Sequence, residues 1–260
     1  MTTTIKRYLK TTTIKRHLKT TAIEKYLNSL SEDILVLDVS NKNIKYLPDL
    51  TRFKNLQKLY CDNNKLNYLP TLPKNLETLY CSNNELTLLP TLPENLETLF
   101  CYNNNLTYLP DLPENLKILS CDDNQLTSLP RLPKNLEKLY CYNNKLSLLP
   151  TLPEKLEILN CSFNELNYLP ALPQNLEILS YCWNPIYEIV NSNTLFQIKI
   201  NIQILNNFRH LYYCLKFKKQ LRKWLWEKVR EPYAMKKYSP LYLIKNLRDE
   251  DDLDTILVAW

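Results

Sequence analysis

The 260-residue chain carries 33 lysines and arginines against 27 aspartates and glutamates, for a net charge of +6, and has 16 prolines but no glycine. The absence of glycine excludes the phosphate loops, dinucleotide fingerprints, nucleophile elbows and calcium loops that require it, so we expect no cofactor. No apolar run approaches the roughly 20 residues of a membrane-spanning helix, so we expect no membrane span.

Charge is distributed unevenly along the chain. Residues 1–30 carry seven Lys/Arg against one Glu, residues 31–190 carry 13 Lys/Arg against 19 Asp/Glu, and residues 191–260 carry 13 against seven. Two basic ends therefore flank an acidic middle. This pattern indicates either anionic partners at the ends or ordinary solvated surface.

The amino-terminal end contains a nine-residue repeat: TTTIKRYLK at 2–10, TTTIKRHLK at 11–19 and TTAIEKYLN at 20–28. Nine residues make two and a half helical turns, so successive Ile/Leu pairs would face opposite sides of one continuous helix. No single apolar stripe results. We therefore predict that residues 1–30 form a basic arm, or short helices broken at the threonines, rather than a membrane-lying helix.

A second repeat, of twenty residues, occupies the middle of the chain and is typified by LETLYCSNNELTLLPTLPEN at 76–95. Each block places one cysteine in register; the six are Cys61, Cys81, Cys101, Cys121, Cys141 and Cys161. A fixed period of this length is typical of a solenoid, in which each unit buries its apolar face by stacking on its neighbours.

Aligned with the pattern LxxLxLxxNxL, this block supplies Leu76, Leu79, Cys81, Asn84 and Leu86, and in this it resembles the leucine-rich repeat family. Its Leu-Pro-Thr-Leu-Pro tail at 89–93 is similar to the short twenty-residue class of secreted bacterial effectors. The resemblance implies an α/β-type solenoid of about eight units over residues 31–190. It further implies short parallel strands on a concave face and an extended, polyproline-like convex side, which the prolines favour over a helix.

Two columns of the repeat are expected to be structural. The cysteines fit as small apolar core residues with reduced thiols, because neighbouring strands lie about 4.8 Å apart and a disulfide needs closer Cβ atoms. A metal site is not expected, since CxxC pairs are absent and both histidines fall outside the repeat. The asparagines should satisfy backbone groups of the turns; they are Asn64, Asn84, Asn104, Asn124, Asn144, Asn164 and Asn184.

The positions around each cysteine alternate outward and predict the concave surface. They form an aromatic strip of Tyr60, Tyr80, Phe100, Tyr102, Tyr140, Tyr142, Phe163 and Trp183, interrupted by an acidic notch of Ser120, Asp122 and Asp123. Tyrosines of this kind anchor protein or peptide partners. The alternative interpretation is that the stacked rings only stabilise neighbouring strands.

A column of glutamates accompanies the strip, comprising Glu77, Glu97, Glu137, Glu157 and Glu177 and interrupted by Lys117. It indicates either attraction for a basic partner, or for one of the chain's own basic ends, or a solvated edge.

Beyond residue 190 the apolar residues recur at helical spacing and predict a helical cap with an acidic tail over residues 191–260. These residues are Leu205, Phe208, Leu211, Leu215, Leu221, Trp224, Leu225 and Val229. The segment 224–243 resembles a carboxy-terminal segment of proteins of giant DNA viruses, which implies a viral origin without implying an activity. We expect an intracellular location, in the host cytoplasm.

Taken together, these patterns predict a non-enzymatic protein-binding module whose concave face takes a protein or peptide, for example a host factor. Some effectors of this repeat class carry a ubiquitin-ligase domain with a cysteine close to an aspartate, but here Cys214 is followed by Leu215 and Lys216. We therefore expect no catalytic residues. The alternative function is binding of nucleic acid or an anionic surface through the basic ends.

Overall fold

The computed structural model describes residues 21–216, which form three helices and one eight-stranded sheet. The elements are α1 (Ala22–Ser29), β1 (Val36–Asp38), β2 (Lys58–Tyr60), β3 (Thr78–Tyr80), β4 (Thr98–Phe100), β5 (Ile118–Ser120), β6 (Lys138–Tyr140), β7 (Ile158–Asn160), β8 (Ile178–Ser180), α2 (Tyr187–Val190) and α3 (Leu195–Lys216). The described residues divide between two compact units, with the boundary between Ile202 and Gln203.

The strands pair in chain order and all run parallel. From β2 onward each residue is in register with the one twenty positions on, as in Leu79 beside Leu99, and between β1 and β2 the offset is twenty-two. Hydrogen bonds between units extend past the three-residue strands: the amide of Cys81 donates to the carbonyl of Phe100 (2.8 Å), and that of Glu97 to the carbonyl of Glu77 (2.8 Å). The predicted leucine-rich repeat solenoid with parallel strands is thereby confirmed.

The segments that return from one strand to the next contain no helix between β1 and β8. A tight turn precedes each strand, as where the amide of Leu76 donates to the carbonyl of Pro73 (3.2 Å). Proline has no amide hydrogen and a fixed φ, which favours this extended path. The short return allows units of only twenty residues.

The core is a stack of identical layers. Leu76, Leu79, Leu86 and Cys81 are fully buried in a typical unit, and the equivalent residues of the neighbouring units lie directly above and below them. Each fully buried leucine contributes roughly 1.5–3 kcal/mol. Since no unit can bury these side chains alone, the layers stabilise one another.

The amino-terminal end of the solenoid is covered by α1. This helix begins after Thr21, which caps it, and its buried residues are Ile23 and Leu27. The Arg52 guanidinium donates to the carbonyl of Leu27, and the hydroxyls of Thr21 and Tyr46 lie 2.6 Å apart. The part of the nine-residue repeat that the structure describes is thus a short helix starting at a threonine; residues 1–20 lie outside the described range.

The carboxy-terminal end is covered by α2 and the first part of α3, where Val190, Ile198 and Ile202 are buried. The Lys199 ammonium donates to the carbonyls of Gln174 (3.0 Å) and Leu176 (3.1 Å), which ties α3 to the last unit. Helices at this end are as predicted, and the remainder of the expected cap, 217–260, falls outside the described residues. Within 21–216, no helix has the length and hydropathy to cross a bilayer.

Candidate binding face of the sheet

One face of the sheet is left open by the repeat. The central leucine of each strand points into the core, and the residues on either side of it point away. We call the surface formed by these outward residues, and by the two residues after each cysteine, the open sheet face. It corresponds to the concave face predicted from the sequence.

The second residue after each cysteine of the repeat column, and after Tyr181 in the last unit, adopts a left-handed backbone conformation. These residues are Asn63, Asn83, Asn103, Asp123, Asn143, Phe163 and Trp183, with φ between 50° and 58°. Asparagine and aspartate tolerate this region better than other non-glycine residues, which explains how a chain without glycine makes the turn. Phe163 and Trp183 adopt it despite their size.

Three aromatic rings stack along the amino-terminal half of the open sheet face. The ring centroids of Tyr60 and Tyr80 are 5.0 Å apart at an interplanar angle of 33°, and those of Tyr80 and Phe100 are 4.5 Å apart at 16°. Burial raises the pKa of Tyr80, and the neighbouring Tyr60 adds to the effect. Such cross-strand stacks stabilise the sheet, so these rings serve the scaffold whatever else they contact.

Two residues of the acidic notch are buried rather than on the surface as expected: Ser120 is 4% exposed and Asp122 is 5% exposed. The Ser120 hydroxyl donates to Oδ2 of Asp122 (2.7 Å), and the amide of Tyr142 donates to Oδ1 of Asp122 (3.0 Å). Burial raises the pKa of Asp122 to about 6, because the loss of water outweighs these hydrogen bonds. A partner therefore has little direct access to this carboxylate.

Asp123 and Tyr142 are also engaged with each other. The Tyr142 hydroxyl donates to Oδ2 of Asp123 (2.7 Å), and the Asn143 side-chain amide donates to Oδ1 (2.6 Å). The hydrogen bond to the carboxylate, together with burial, raises the pKa of Tyr142 to about 12. Tyr142 thus helps to hold two units together, and its removal should cost stability.

The remaining predicted rings have fewer internal roles. Tyr102 and Tyr140 are half-buried, and within the described residues their side chains make no hydrogen bond or ring contact. Phe163 and Trp183 stack on each other with centroids 5.5 Å apart at 17°, and remain 49% and 71% exposed. These four side chains are the part of the aromatic strip most available to a partner.

The asparagine column lies beneath the face and joins adjacent units. The Asn84 side-chain amide donates to the carbonyls of Cys81, Ser82 and Cys61 (3.1 Å each), and its Oδ1 accepts from the amide of Leu66 (2.9 Å). Equivalent bonds recur at the other interior asparagines. They satisfy backbone groups that the sheet does not pair.

The cysteine column is fully buried in the core. Burial raises the pKa of Cys81, Cys101, Cys121 and Cys141 well above the usual value for a thiol. The seven cysteines from Cys61 to Cys182 are free thiols, and among the side chains that the structure describes there is no cluster of three metal-ligand groups. A buried, neutral thiol is a poor nucleophile, so this column offers no chemistry to a substrate.

The glutamate column borders the open sheet face on the side opposite to the residues that follow each cysteine. Lys117 pairs with Glu97 (2.8 Å), and this contact raises the pKa of Lys117. Three further glutamates, Glu137, Glu157 and Glu177, line a shallow cleft with Lys155 and Asn175. In the described part of the chain none of these three forms an ion pair within 4 Å, which leaves an acidic edge.

A second apolar column, not predicted from the sequence, lies outside the sheet in the return segments. Tyr68, Leu88, Tyr108 and Leu148 are 44–55% exposed there. The available signal was an apolar residue immediately before the first Leu-Pro of most return segments, with Ser128 as an exception, at a position where solvent exposure would favour a polar one. Substitutions in this column can therefore serve as controls for substitutions on the open sheet face.

Comparison with known proteins is consistent with this architecture. The Leucine Rich Repeat family model matches residues 75–96. Comparison with curated protein sequences yields no significant match.

Three solved structures illustrate the similarity. YopM from Yersinia enterocolitica WA-314 is 41% identical over 60% of this chain and 34% of its own, with a TM-score of 0.58. YopM from Yersinia pestis, a leucine-rich effector protein, is 41% identical over 60% of this chain and 44% of its own, also at 0.58. The leucine-rich repeat domain of a Shigella effector is 32% identical over 57% of this chain and 66% of its own, at 0.51.

The predicted similarity to leucine-rich repeat proteins of bacterial effectors is thus confirmed. The chain nevertheless spans less than half the length of either YopM chain. The comparisons do not bear on the predicted resemblance of residues 224–243 to proteins of giant DNA viruses.

Proposed function

We propose that this protein is a non-catalytic scaffold that binds a protein or peptide on its open sheet face. Leucine-rich repeat solenoids are generally protein-protein interaction scaffolds. The observation that carries the proposal is that this face displays large aromatic side chains, of which Tyr102 and Tyr140 have no hydrogen bond or ring contact within the described residues. Half-exposed tyrosines without a structural task are typical of interface anchors, because they offer large contact area with few rotatable bonds.

The internal contacts of the other rings decide how the proposal is tested. Tyr142 bonds to Asp123, and Tyr60, Tyr80 and Phe100 stack on one another. Substituting these residues would confuse loss of binding with loss of stability. Tyr102 and Tyr140 avoid that difficulty.

The test is affinity capture from a cell lysate with the full chain, comparing the wild type with a Tyr102→Ala/Tyr140→Ala variant. A Tyr108→Ala variant is the matched control, because Tyr108 is 55% exposed in a return segment outside the sheet. We expect a protein that is retained by the wild type and by the control and lost with the double variant, all three having similar unfolding midpoints.

Two other outcomes would redirect the assignment. Loss of the captured protein with Tyr108→Ala instead would move the binding surface to the return segments. Capture of nucleic acid, with an affinity that falls steeply with salt, would favour the alternative of binding through the basic ends. If residues 224–243 reflect a viral origin, the captured protein should come from the host.

A further inference from the structure

The open sheet face changes character along the solenoid. At β2, β3 and β4 its floor consists of the stacked rings of Tyr60, Tyr80 and Phe100. At β7 and β8 the equivalent positions are the smaller Asn160 and Ser180. The last units therefore have a low floor between two higher edges.

One edge is apolar and consists of the Phe163–Trp183 stack. In the equivalent column, Asp123 accepts a hydrogen bond from the Tyr142 hydroxyl, which places this column at the border of the open sheet face. Trp183 also lines a groove of about 530 Å³ with Pro185, Tyr187 and Glu188. We call the depression between this edge and the glutamate edge the trough.

The backbone at this edge is strained. Phe163 and Trp183 have φ of 54° and 58°, whereas the same position holds asparagine or aspartate in the units from Asn63 to Asn143. A bulky residue in the left-handed region costs free energy that asparagine there largely avoids. Residues kept in such conformations tend to cluster at functional sites.

Burial in the core does not offset the free-energy cost of this backbone conformation. Phe163 is 49% exposed and Trp183 is 71% exposed, and within the described residues they make no aromatic contact other than their stacking on each other. Two large apolar surfaces thus lie ready beside a groove. The arrangement is typical of an anchor for an apolar side chain of a partner.

The other edge determines the charge of that partner. Glu157 and Glu177 are exposed and free of ion pairs in residues 21–216, and the cation in their cleft, Lys155, donates to the Asn135 side-chain oxygen (2.8 Å). Carboxylates stacked at the strand spacing of about 4.8 Å repel one another, so a basic partner would relieve them. Charge complementarity therefore favours lysine or arginine at this edge.

The chain between the two edges is long enough to leave room for a helix. Glu177 and Trp183 are six positions apart in the sequence, so an extended chain between them spans up to about 20 Å. An α-helix with its side chains is about 10–12 Å across, and its flanking lysines and arginines can reach further. Ile178, 52% exposed beside Glu177, adds apolar floor.

We propose that the trough binds a basic amphipathic helix of a partner protein. The apolar side chains of the helix contact Phe163, Trp183 and Ile178, and its lysines or arginines pair with Glu157 and Glu177. This is the helix-in-groove mode of recognition. The inference rests on the proposed function and assigns that function to the last units.

The test uses a fluorescein-labelled 18-residue model helix of leucine and lysine, with one apolar and one basic face, titrated with the full chain by fluorescence anisotropy. Two matched peptides, one with glutamate for lysine and one with glutamine for leucine, control for charge and for apolar contact. We expect the leucine-lysine helix to bind at least about tenfold more tightly than either control.

Two variants of the protein locate the binding site. Phe163→Asn/Trp183→Asn restores the residue found at this position in most other units, so it should weaken binding by about tenfold or more while the unfolding midpoint stays or rises. Glu157→Gln/Glu177→Gln should weaken binding by a similar factor, with a smaller dependence on salt than the wild type.

Unchanged affinity in either variant, or no binding of the helix to the wild type, would show that the proposal is wrong. Loss of helix binding only in the Tyr102→Ala/Tyr140→Ala variant would show that the helix does not bind in the trough but elsewhere on the open sheet face. If the protein captured from lysate is also retained by the Tyr102→Ala/Tyr140→Ala variant, the proposed function is wrong, whatever the result with the model helix.

Discussion

Replacing Asp122 by asparagine is expected to make the folded protein more stable at neutral pH. The carboxyl group is 5% exposed and accepts hydrogen bonds from the Ser120 hydroxyl and the Tyr142 amide. An asparagine has nearly the same shape, can accept the bond from the Tyr142 amide through Oδ1, and can donate from Nδ2 to the Ser120 oxygen. The substitution therefore removes a buried charge without removing the contacts.

The size of the effect follows from the pKa. Burial raises the pKa of Asp122 from 3.8 to about 6, so the folded state holds the proton more tightly than the unfolded state does. The stabilising effect of protonation is fully present below the unfolded value and is lost as the pH rises through the folded value. A shift of about two units corresponds to about 3 kcal/mol, which is the gain expected for the variant near pH 7.5. By the same linkage the gain falls to about half near pH 5.

Other carboxyl groups have the opposite effect on the pH dependence of the free energy of unfolding, and their contribution must be subtracted. Hydrogen bonds from Ser40 and Thr51 lower the pKa values of Asp38 and Asp49, whose stabilising effect is lost only at lower pH. Their contribution cancels when the variant is compared with the wild type at each pH.

Urea unfolding followed by circular dichroism near pH 5 and pH 7.5 measures the required difference. Asp111→Asn, in the adjoining exposed return segment, is the control and should have little effect at either pH. A difference between Asp122→Asn and wild type that is the same at both pH values would refute the argument, as would a variant less stable than the wild type near pH 7.5.

Three further predictions concern the scaffold. Asn124→Ala leaves the amide of Leu106 without its partner and removes one of the two hydrogen bonds that each of three carbonyls accepts, so urea unfolding should show a loss of about 1–3 kcal/mol; the exposed Asn105→Ala should lose little, and equal losses would contradict the role of the column. Peptide mapping after alkylation of the native protein should find Cys182 modified and the six cysteines of the repeat column protected until urea unfolds the chain, because these six are buried; their early modification would contradict the packing. Thr21→Ala should cost about 1 kcal/mol in thermal unfolding through loss of the helix cap, and an unchanged midpoint would show that this cap contributes nothing to stability.

The repeat made most of the fold predictable. A twenty-residue period with leucine, cysteine and asparagine at fixed positions allows one parallel register, in which Leu79 lies beside Leu99. Prolines in every return segment exclude a helix there. The start of α1 was also readable, because Thr21 and Glu24 form the T-x-x-E pattern of a capping box.

The details of the open sheet face were less predictable. Asp122 is buried because the residue two positions before it and a tyrosine twenty positions after it donate to its carboxylate, and alternation of side chains along a strand contains no such information. Likewise, the sequence places Phe163 and Trp183 two residues after a repeat position but does not reveal how far their rings remain exposed. These properties depend on contacts between units rather than on the pattern within one.

The asparagine column gives the solenoid a direction. The amide of Leu66 donates to the side-chain oxygen of Asn84, eighteen residues further along the chain. The side-chain nitrogen of Asn84 donates in turn to the carbonyl of Cys61. During synthesis on the ribosome, the turn of each unit therefore stays unfinished until the next unit has emerged. Shortening the array from its carboxy-terminal side would leave the amide equivalent to Leu66 in the new last unit without its partner, whereas shortening it from the other side would instead remove the carbonyl that accepts from the amide equivalent to Glu85.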